Sequence, residues 1–192
     1  MKPMPVLVYK LGGASVRNAE ALRNVLSLLE QRPQHHHLVL VVSAMGKTTN
    51  GLEALLRFSD AKDPACQRAW RQVYDFHADI VTSLFPEPEL LLRKIDTLLT
   101  EALDWLEQRD RLDFDFLYDQ VVSLGEQVST LILADWLELN KIPVAWLDAR
   151  QLIRTDANWR EAKVNWAGTA HLVRRHIKPL FSRPKAPIVL TQ

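Results

Sequence analysis

The chain has 192 residues, of which 47% are hydrophobic and 24% are charged, values that are ordinary for one globular domain with a sizeable core. Its 24 lysine and arginine residues balance 23 aspartate and glutamate residues, so the net charge gives no reason to expect nucleic acid or an anionic membrane as a partner. The single cysteine, Cys66, excludes an internal disulfide framework and a cysteine-based zinc site.

The expected location is the cytoplasm. One cysteine fits a reducing compartment, the apolar runs are too short to cross a bilayer, and the N-terminus lacks a signal-type apolar segment. His35, His36 and His37 precede an apolar run and are interpreted as a solvated turn. We therefore predict no metal-binding residues in the chain.

The first fifty residues have the pattern of a strand, a helix and a strand. Residues 6–9 and 38–42 are short apolar runs followed by small residues, as expected for strands buried on both faces of a parallel sheet. Between them, apolar residues recur at helical spacing after Asn18, a suitable N-cap, and the helix is predicted to stop before Pro33. This order predicts a right-handed crossover unit.

Residues 52–140 are predicted to form an all-helical insertion. Two long helical patterns are separated by Pro86 and Pro88, and a third begins near Asp113 and ends near Asn140.

The sheet is predicted to resume after the insertion, with strands at residues 144–147 and 188–190 and a helix at residues 164–177. The last strand runs into Gln192 without a terminal helix or polar tail. We therefore expect residues 1–192 to be the N-terminal part of a larger domain.

Lys10, Gly12 and Gly13 form a candidate phosphate site at the end of the first predicted strand. Glycines between a strand and a helix let the backbone turn sharply and direct N–H groups at an anion, and the lysine adds a positive charge. A glycine turn beside a solvated lysine explains the same residues equally well. A P-loop is excluded, because that motif needs glycine five residues before Gly46 and the residue there is Val41.

A second small polar loop follows the second predicted strand and contains Ser43, Thr49 and Asn50. Both loops should lie at the carboxyl edge of a parallel sheet, where α/β proteins bind ligands. Capping of the next helix by Thr49 or Asn50 is the alternative, and the two roles can coexist.

Ser123 and Glu126 match the S-x-x-E capping box, in which the glutamate side chain reaches back to a backbone N–H. The spacing alone favours this capping role. The alternative is a carboxylate that binds the ammonium group of an amino-acid substrate. Asp148 and Arg150 follow the third predicted strand and are interpreted as an ion pair that fixes the loop, with a ligand contact as the alternative.

Five segments, in order along the whole chain, resemble the motifs of aspartate kinases. They are Lys10-Leu-Gly-Gly-Ala-Ser-Val16, Val42-Ser-Ala-Met-Gly-Lys-Thr-Thr-Asn-Gly-Leu52, Ser123-Leu-Gly-Glu-Gln-Val-Ser129, Leu147-Asp-Ala-Arg150 with Arg154-Thr-Asp156, and Ile188-Val-Leu-Thr-Gln192. The helical insertion also resembles the helical subdomain of that family. The resemblance implies an amino-acid-kinase fold, which is a three-layer α/β/α sandwich with a mainly parallel sheet.

The resemblance also implies an activity. It is the ATP-dependent, Mg²⁺-dependent phosphorylation of the L-aspartate side-chain carboxylate to 4-phospho-L-aspartate, the first step toward lysine, threonine and methionine. A homo-oligomer is implied as well. Since the carboxylate is already a nucleophile, we expect positioning and charge neutralisation rather than a general base or a covalent intermediate.

Roles carry over only where residues match. Lys10 corresponds to the phosphate-contacting lysine of the family and is the predicted catalytic residue. Gly12, Gly13 and Ser15 belong to the same ATP phosphate site. Ala14 departs from the threonine usual in the family, so the hydrogen bond of that threonine is not expected here.

Ser43, Thr49 and Glu126 are the substrate-binding residues that the resemblance implies. Family segments that complete the ATP and aspartate sites, and the regulatory domains, are not found in the sequence, so the chain alone is expected to be inactive. Two alternatives remain. One is a different small-molecule kinase of the same superfamily, which would not need Glu126 for an ammonium group, and the other is a non-catalytic binding or oligomerisation module.

Overall fold

The computed structural model describes residues 4–32 and 35–192. Among these residues, four strands form one parallel sheet in the order β1, β2, β4, β3. The strands are β1 (Val6–Leu11), β2 (His37–Val42), β3 (Val144–Trp146) and β4 (Ile188–Thr191). The short apolar runs of the sequence therefore predicted all four strands, and β1 and β2 pair in parallel along their whole length.

Eight α-helices occur in the same described residues. They are α1 (Ala19–Glu30), α2 (Thr48–Leu55), α3 (Pro64–Leu84), α4 (Glu89–Glu107), α5 (Phe114–Val122), α6 (Leu124–Leu139), α7 (Ala149–Leu152) and α8 (Trp166–Phe181). Short 3-10 turns span Gly13–Val16 and Arg109–Arg111. Asn18 caps α1 as predicted, since its side chain accepts a hydrogen bond from the Ala21 N–H at 2.9 Å. The predicted stop at Pro33 lies outside the described residues.

Helices cover both faces of the sheet. Leu38, Leu40 and Val42 of β2 are buried in the same hydrophobic cluster as α1 and α6. His37 alternates with them and so lies on the opposite face, where its ring stacks on that of Phe181 at the end of α8 with centroids 4.3 Å apart. This arrangement confirms the predicted α/β fold, with helices on either side of a parallel sheet.

The all-helical insertion lies between β2 and β3. The helices α3 and α4 are the two long helices predicted on either side of Pro86 and Pro88. The third predicted pattern is instead divided into α5 and α6, which meet at Ser123. Within the described part of the chain, no helix combines the length and apolar character needed to cross a bilayer.

The last helix begins slightly later than the sequence predicted. Val164 forms an isolated antiparallel bridge with Thr155, which keeps this part of the backbone extended. Asn165 then caps α8, because its side-chain oxygen accepts a hydrogen bond from the Gly168 N–H at 2.9 Å. The helix therefore starts at Trp166.

Candidate functional site

The carboxyl ends of the strands meet at one edge of the sheet. The strands β1 and β2 end level with each other at Leu11 and Val42, and β4 runs beside β2 to Thr191. The backbone N–H of Ser43 donates to the Leu11 carbonyl at 3.0 Å. As predicted, the glycine turn after β1 and the polar loop after β2 lie side by side.

Gly13 lies where these two loops touch. Its carbonyl accepts a hydrogen bond from the Gly46 N–H at 3.1 Å, and a Cβ atom at residue 13 would lie 2.7 Å from the carbonyl oxygen of Ala44. Because that distance is shorter than van der Waals contact, the close approach of the loops requires glycine here. At Gly12 the nearest atom to such a Cβ would be Lys10 Nζ at 4.0 Å. The space beside Gly12 is therefore open to a ligand.

Lys10 places a positive charge at this edge. Its Nζ donates to Ser43 Oγ at 3.1 Å, and it forms no ion pair with any residue that the structure describes. An ammonium group has three N–H donors, so donors remain for an anion. Ser15 is exposed in the following turn, where its N–H donates to the Gly12 carbonyl at 2.8 Å and its hydroxyl stays at the surface. Lys10, Gly12 and Ser15 thus surround one open space.

Glu126 places a negative charge on the other side of the same loop. It is half-buried in the first turn of α6, and its Oε1 accepts a hydrogen bond from the Ala44 N–H at 3.3 Å. Burial raises the pKa of the Glu126 carboxyl, and the Ala44 N–H partly opposes that rise. No cation among the described residues forms an ion pair with it. A positively charged ligand group would be stabilised here.

The prediction of a capping box is wrong. Ser123 has helical backbone angles, φ −63° and ψ −17°, and its hydroxyl donates to the Gln120 carbonyl at 3.1 Å instead of capping α6. Its N–H donates to the Asp119 carbonyl at 3.3 Å, so the donor to which Glu126 would reach back is already paired. The physical reason is that α5 runs directly into α6 and supplies the partners that a cap would supply. Glu126 is left to face the loop after β2.

The capping role predicted for Thr49 and Asn50 is also wrong. The helix α2 begins at Thr48, so both residues lie inside its first turn, and the N-cap residue Lys47 makes no side-chain capping bond. Thr48 Oγ1 donates to the Met45 carbonyl at 2.7 Å. Thr49 is half-buried in this turn, and its predicted contact with aspartate remains a prediction.

Asp148 and Arg150 form the predicted ion pair. Arg150 Nη2 lies 2.6 Å and Nε 2.9 Å from Asp148 Oδ2, and Nη2 also donates to Gln127 Oε1 at 2.9 Å. The hydrogen bond from Arg150 to Asp148 raises the pKa of the guanidinium. Arg150, Ser123 and Glu126 line a cavity of about 380 Å³. The ion pair therefore fixes one wall of a cavity that the unpaired carboxylate also lines.

The model of the amino acid kinase family matches residues 5–189, which is nearly the whole chain. This chain belongs to the amino acid kinase family. The match covers all four strands and the whole helical insertion. The site built from Lys10, the glycine turn and Glu126 is therefore part of an amino-acid-kinase fold.

Curated relatives of this family member are aspartokinases. It is 28% identical over 153 residues to bifunctional aspartokinase/homoserine dehydrogenase 2 of Escherichia coli K12, a match that covers 78% of this chain and 18% of that protein. It is 31% identical over 191 residues to chloroplastic aspartokinase 1 of Arabidopsis thaliana, covering 95% of this chain and 32% of that protein. The aspartokinase of Chlamydia trachomatis is 30% identical over 159 residues, covering 81% and 33%. The chain thus spans a third or less of the length of these relatives.

Solved aspartokinase structures have the same fold. Aspartokinase III of E. coli in complex with lysine and aspartate, in the T-state, matches with a TM-score of 0.85 and 24% identity over 97% of this chain and 40% of that one. The R-state complex of the same enzyme with aspartate and ADP has a TM-score of 0.84 at the same identity and coverage. The amino-acid-kinase fold that the sequence implied is confirmed.

His77 supports the site and had no predicted role. It is fully buried in α3, with Nδ1 2.7 Å from the Val73 carbonyl and Nε2 3.1 Å from Thr48 Oγ1. Because a carbonyl only accepts, Nδ1 carries the proton and Nε2 competes with the Met45 carbonyl for the Thr48 hydroxyl hydrogen. Burial lowers the pKa of His77 to about 4. A histidine on the apolar face of a helical pattern was the available signal.

Ser129 and Gly125 of α6 also hold the loop and were missed. Ser129 Oγ donates to the Ser43 carbonyl at 2.8 Å. A Cβ atom on Gly125 would lie 3.0 Å from Ala44 Cβ and 3.2 Å from Thr48 Cγ2, so α6 approaches the loop closely. The signal was their spacing of about one helical turn, which puts both on the face that carries Glu126 toward the loop.

The described residues offer no metal centre of their own. Within residues 4–32 and 35–192, no group of three or more His, Cys, Asp or Glu side chains is suited to hold a metal ion. His37 belongs to β2 rather than to the solvated turn predicted for the histidine tract, since it pairs with Val6 across the sheet.

Proposed function

We propose that these 192 residues are the N-terminal part of the catalytic domain of an aspartate kinase, with residues 52–140 as its helical subdomain. The observation that carries the proposal is the placement of two unpaired, opposite charges on one loop. Lys10 hydrogen-bonds the side chain of Ser43, and Glu126 hydrogen-bonds the backbone of Ala44, the next residue. A site for a phosphate and an ammonium group fits a kinase that acts on an amino acid, and the matched relatives carry the name aspartokinase.

The phosphoryl end of the reaction is assigned to Lys10, Gly12, Gly13 and Ser15. The open space beside Gly12 admits the transferred phosphoryl group of ATP, and the Lys10 ammonium is placed to stabilise the charge that spreads over its oxygens in the transition state. The backbone N–H groups of the glycine turn and the Ser15 hydroxyl add hydrogen bonds to the same oxygens. Lys10 is the catalytic residue of this scheme.

The aspartate end is assigned to Ser43, Thr49 and Glu126. The Glu126 carboxylate pairs with the substrate ammonium group, which compensates a charge that burial otherwise disfavours. Ser43 and Thr49 orient the substrate, so that its side-chain carboxylate attacks the phosphoryl group in line. The carboxylate is a nucleophile at neutral pH, and no residue of the chain is needed as a general base.

Mg²⁺ supplies neutralisation of the nucleotide phosphates when bound. The described residues fit a phosphate ligand through the unpaired Lys10, while they contain no carboxylate cluster for an ion. The metal is therefore assigned to the oxygens of ATP and to residues beyond this chain. The Lys10 site holds the phosphoryl group itself.

The rest of the functional assignment follows from this proposal. The reaction yields 4-phospho-L-aspartate, the first intermediate toward lysine, threonine and methionine, in the cytoplasm, and the enzyme acts as a homo-oligomer. Residues that complete the ATP and aspartate sites lie in the part of an aspartokinase-length chain that these 192 residues do not span. We therefore expect no turnover from the 192 residues alone.

The test is kinetic and uses the chain extended to the length of its aspartokinase relatives. Lys10→Ala should lower kcat by about a hundredfold or more, because it removes an electrostatic contact to the transition state. Lys178→Ala, a change on the exposed side of α8, is the matched control and should leave kcat unchanged. A folded Lys10→Ala enzyme with full turnover would remove Lys10 from catalysis.

A substrate panel separates this proposal from its alternatives. A different kinase of the family would phosphorylate glutamate, N-acetylglutamate or a nucleotide in preference to aspartate. A binding or oligomerisation module would bind no nucleotide at all.

A further inference from the structure

A second cavity lies on the far side of the loop after β2. It has a volume of about 490 Å³ and is enclosed by that loop, by α2 and by α3. Its walls include Ala54 of α2 and Ala69 and Phe76 of α3, and Gly46 forms part of the rim. The residues assigned to the two substrates do not line it. It is therefore a separate concavity and not an arm of the site around Lys10.

Small residues create this space. At Gly51 the two helices touch, because a Cβ atom there would lie 2.7 Å from Val73 Cγ2. On either side of that contact, Ala54 and Ala69 leave a gap that larger side chains would fill. Gly46 has φ +54° and a Cβ on it would lie 3.1 Å from Phe76 Cζ, so the rim is fixed against an aromatic ring. The result is a walled apolar groove of the size usual for ligand sites, about 300–1,000 Å³.

The polar side of the cavity is positively charged. Arg17 and Lys47 both line it, both are exposed, and neither forms an ion pair with a residue that the structure describes. No aspartate or glutamate lines the cavity, and its other polar residues are neutral: Asn18, Thr48 and Gln72. Two uncompensated cations beside an apolar groove favour a ligand that has an anionic group and an apolar body.

We propose that this cavity binds a small organic carboxylate with an aromatic or branched apolar body. The carboxylate pairs with Arg17, whose planar guanidinium offers two parallel N–H donors, and with Lys47. The apolar body packs on Phe76 and Ala69. The Gly46 N–H donates to the Gly13 carbonyl at 3.1 Å, so a ligand seated against Gly46 contacts the loop that also supports the glycine turn. The site does not depend on the proposed aspartate kinase activity.

The test is a titration of the 192-residue chain with 4-phenylbutyrate, followed by calorimetry and by the amide chemical shifts of Gly46 and Gly51. Two probes serve as comparisons: 4-phenylbutan-1-ol, which keeps the ring without the charge, and butyrate, which keeps the charge without the ring. A ligand of this size should bind 4-phenylbutyrate's site with a Kd of about a millimolar. Both comparison probes should bind at least fivefold more weakly.

Variants identify the groups responsible. Arg17→Gln and Lys47→Gln should each weaken 4-phenylbutyrate several-fold and leave the alcohol unaffected, and Ala69→Leu should block both by filling the groove. Arg68→Gln removes an exposed charge of α3 outside the cavity and is the matched control. If Ala69→Leu fails to fold, the two exposed charge variants decide the matter.

Three results would overturn the proposal. The first is 4-phenylbutyrate binding no tighter than the alcohol. The second is an Arg68→Gln effect as large as that of Arg17→Gln. The third is a set of shifted amides that excludes Gly46 and Gly51. None of these results bears on Lys10 or on turnover, so failure here leaves the kinase proposal unaffected.

Discussion

The stability of the fold should depend on pH through His77. This side chain is fully buried, and its pKa is about 4, below the ordinary value of 6.5, because burial disfavours the imidazolium. The unfolded chain therefore binds more protons than the folded chain between these values. The stabilisation is complete above pH 6.5 and is lost as the pH falls toward 4. Integrating this difference gives a loss of about 2 kcal/mol at pH 5 and about 3 kcal/mol at full protonation.

The assay is urea unfolding of the chain at several pH values from 7.5 to 4.5, comparing wild type with His77→Leu. Leucine removes the titration without leaving a buried group unpaired, because the Thr48 hydroxyl keeps the Met45 carbonyl as its partner. The free energy of unfolding of wild type should fall toward acid by about 2 kcal/mol more than that of the variant at pH 5. His176→Leu, at an exposed position of α8, should follow wild type. Parallel curves for wild type and His77→Leu would refute the reasoning.

Two further predictions concern the loop between the proposed substrates. In the extended chain, Glu126→Gln should raise the KM for aspartate strongly and leave the KM for ATP nearly unchanged, since the amide keeps the shape and removes the charge that pairs with the ammonium group; Glu138→Gln on the same helix should change neither, and an unaltered aspartate KM would return Glu126 to a structural role. Gly13→Ala should lower the free energy of unfolding of the chain by about 1–3 kcal/mol, because its Cβ would lie 2.7 Å from the Ala44 carbonyl oxygen, whereas Gly12→Ala meets open space; equal urea midpoints for the two variants would contradict this reading.

The sequence predicted the strands and most helices because their signals are local. Short apolar runs bounded by small residues marked all four strands, and the Asn18 cap marked the start of α1. The order of the strands was not predicted, because the position of β4 between β2 and β3 depends on long-range pairing. The division of the third helical pattern at Ser123 was missed for a related reason, since the packing of α5 rather than the local sequence decides where the chain bends.

The candidate site was predicted in part. The sequence placed Lys10 and the glycine turn beside the loop after β2, since parallel strands end at one edge. It assigned Ser123 and Glu126 to a capping box on spacing alone, which cannot show that the N–H of Ser123 is already paired. The roles of His77 and Ser129 depend on contacts between elements distant in sequence, and one side of a helical pattern does not reveal what it faces.

The central claim is that a protein with this site transfers a phosphoryl group to the side-chain carboxylate of aspartate with the help of Lys10. Trapping the product tests it most directly, because hydroxylamine converts an acyl phosphate into a hydroxamate. With the extended chain, Mg-ATP and L-aspartate, we predict aspartate hydroxamate in step with ADP release, and a rate about a hundredfold lower for Lys10→Ala. ADP release without hydroxamate, or an undiminished rate of hydroxamate formation in the folded Lys10→Ala enzyme, would contradict the account.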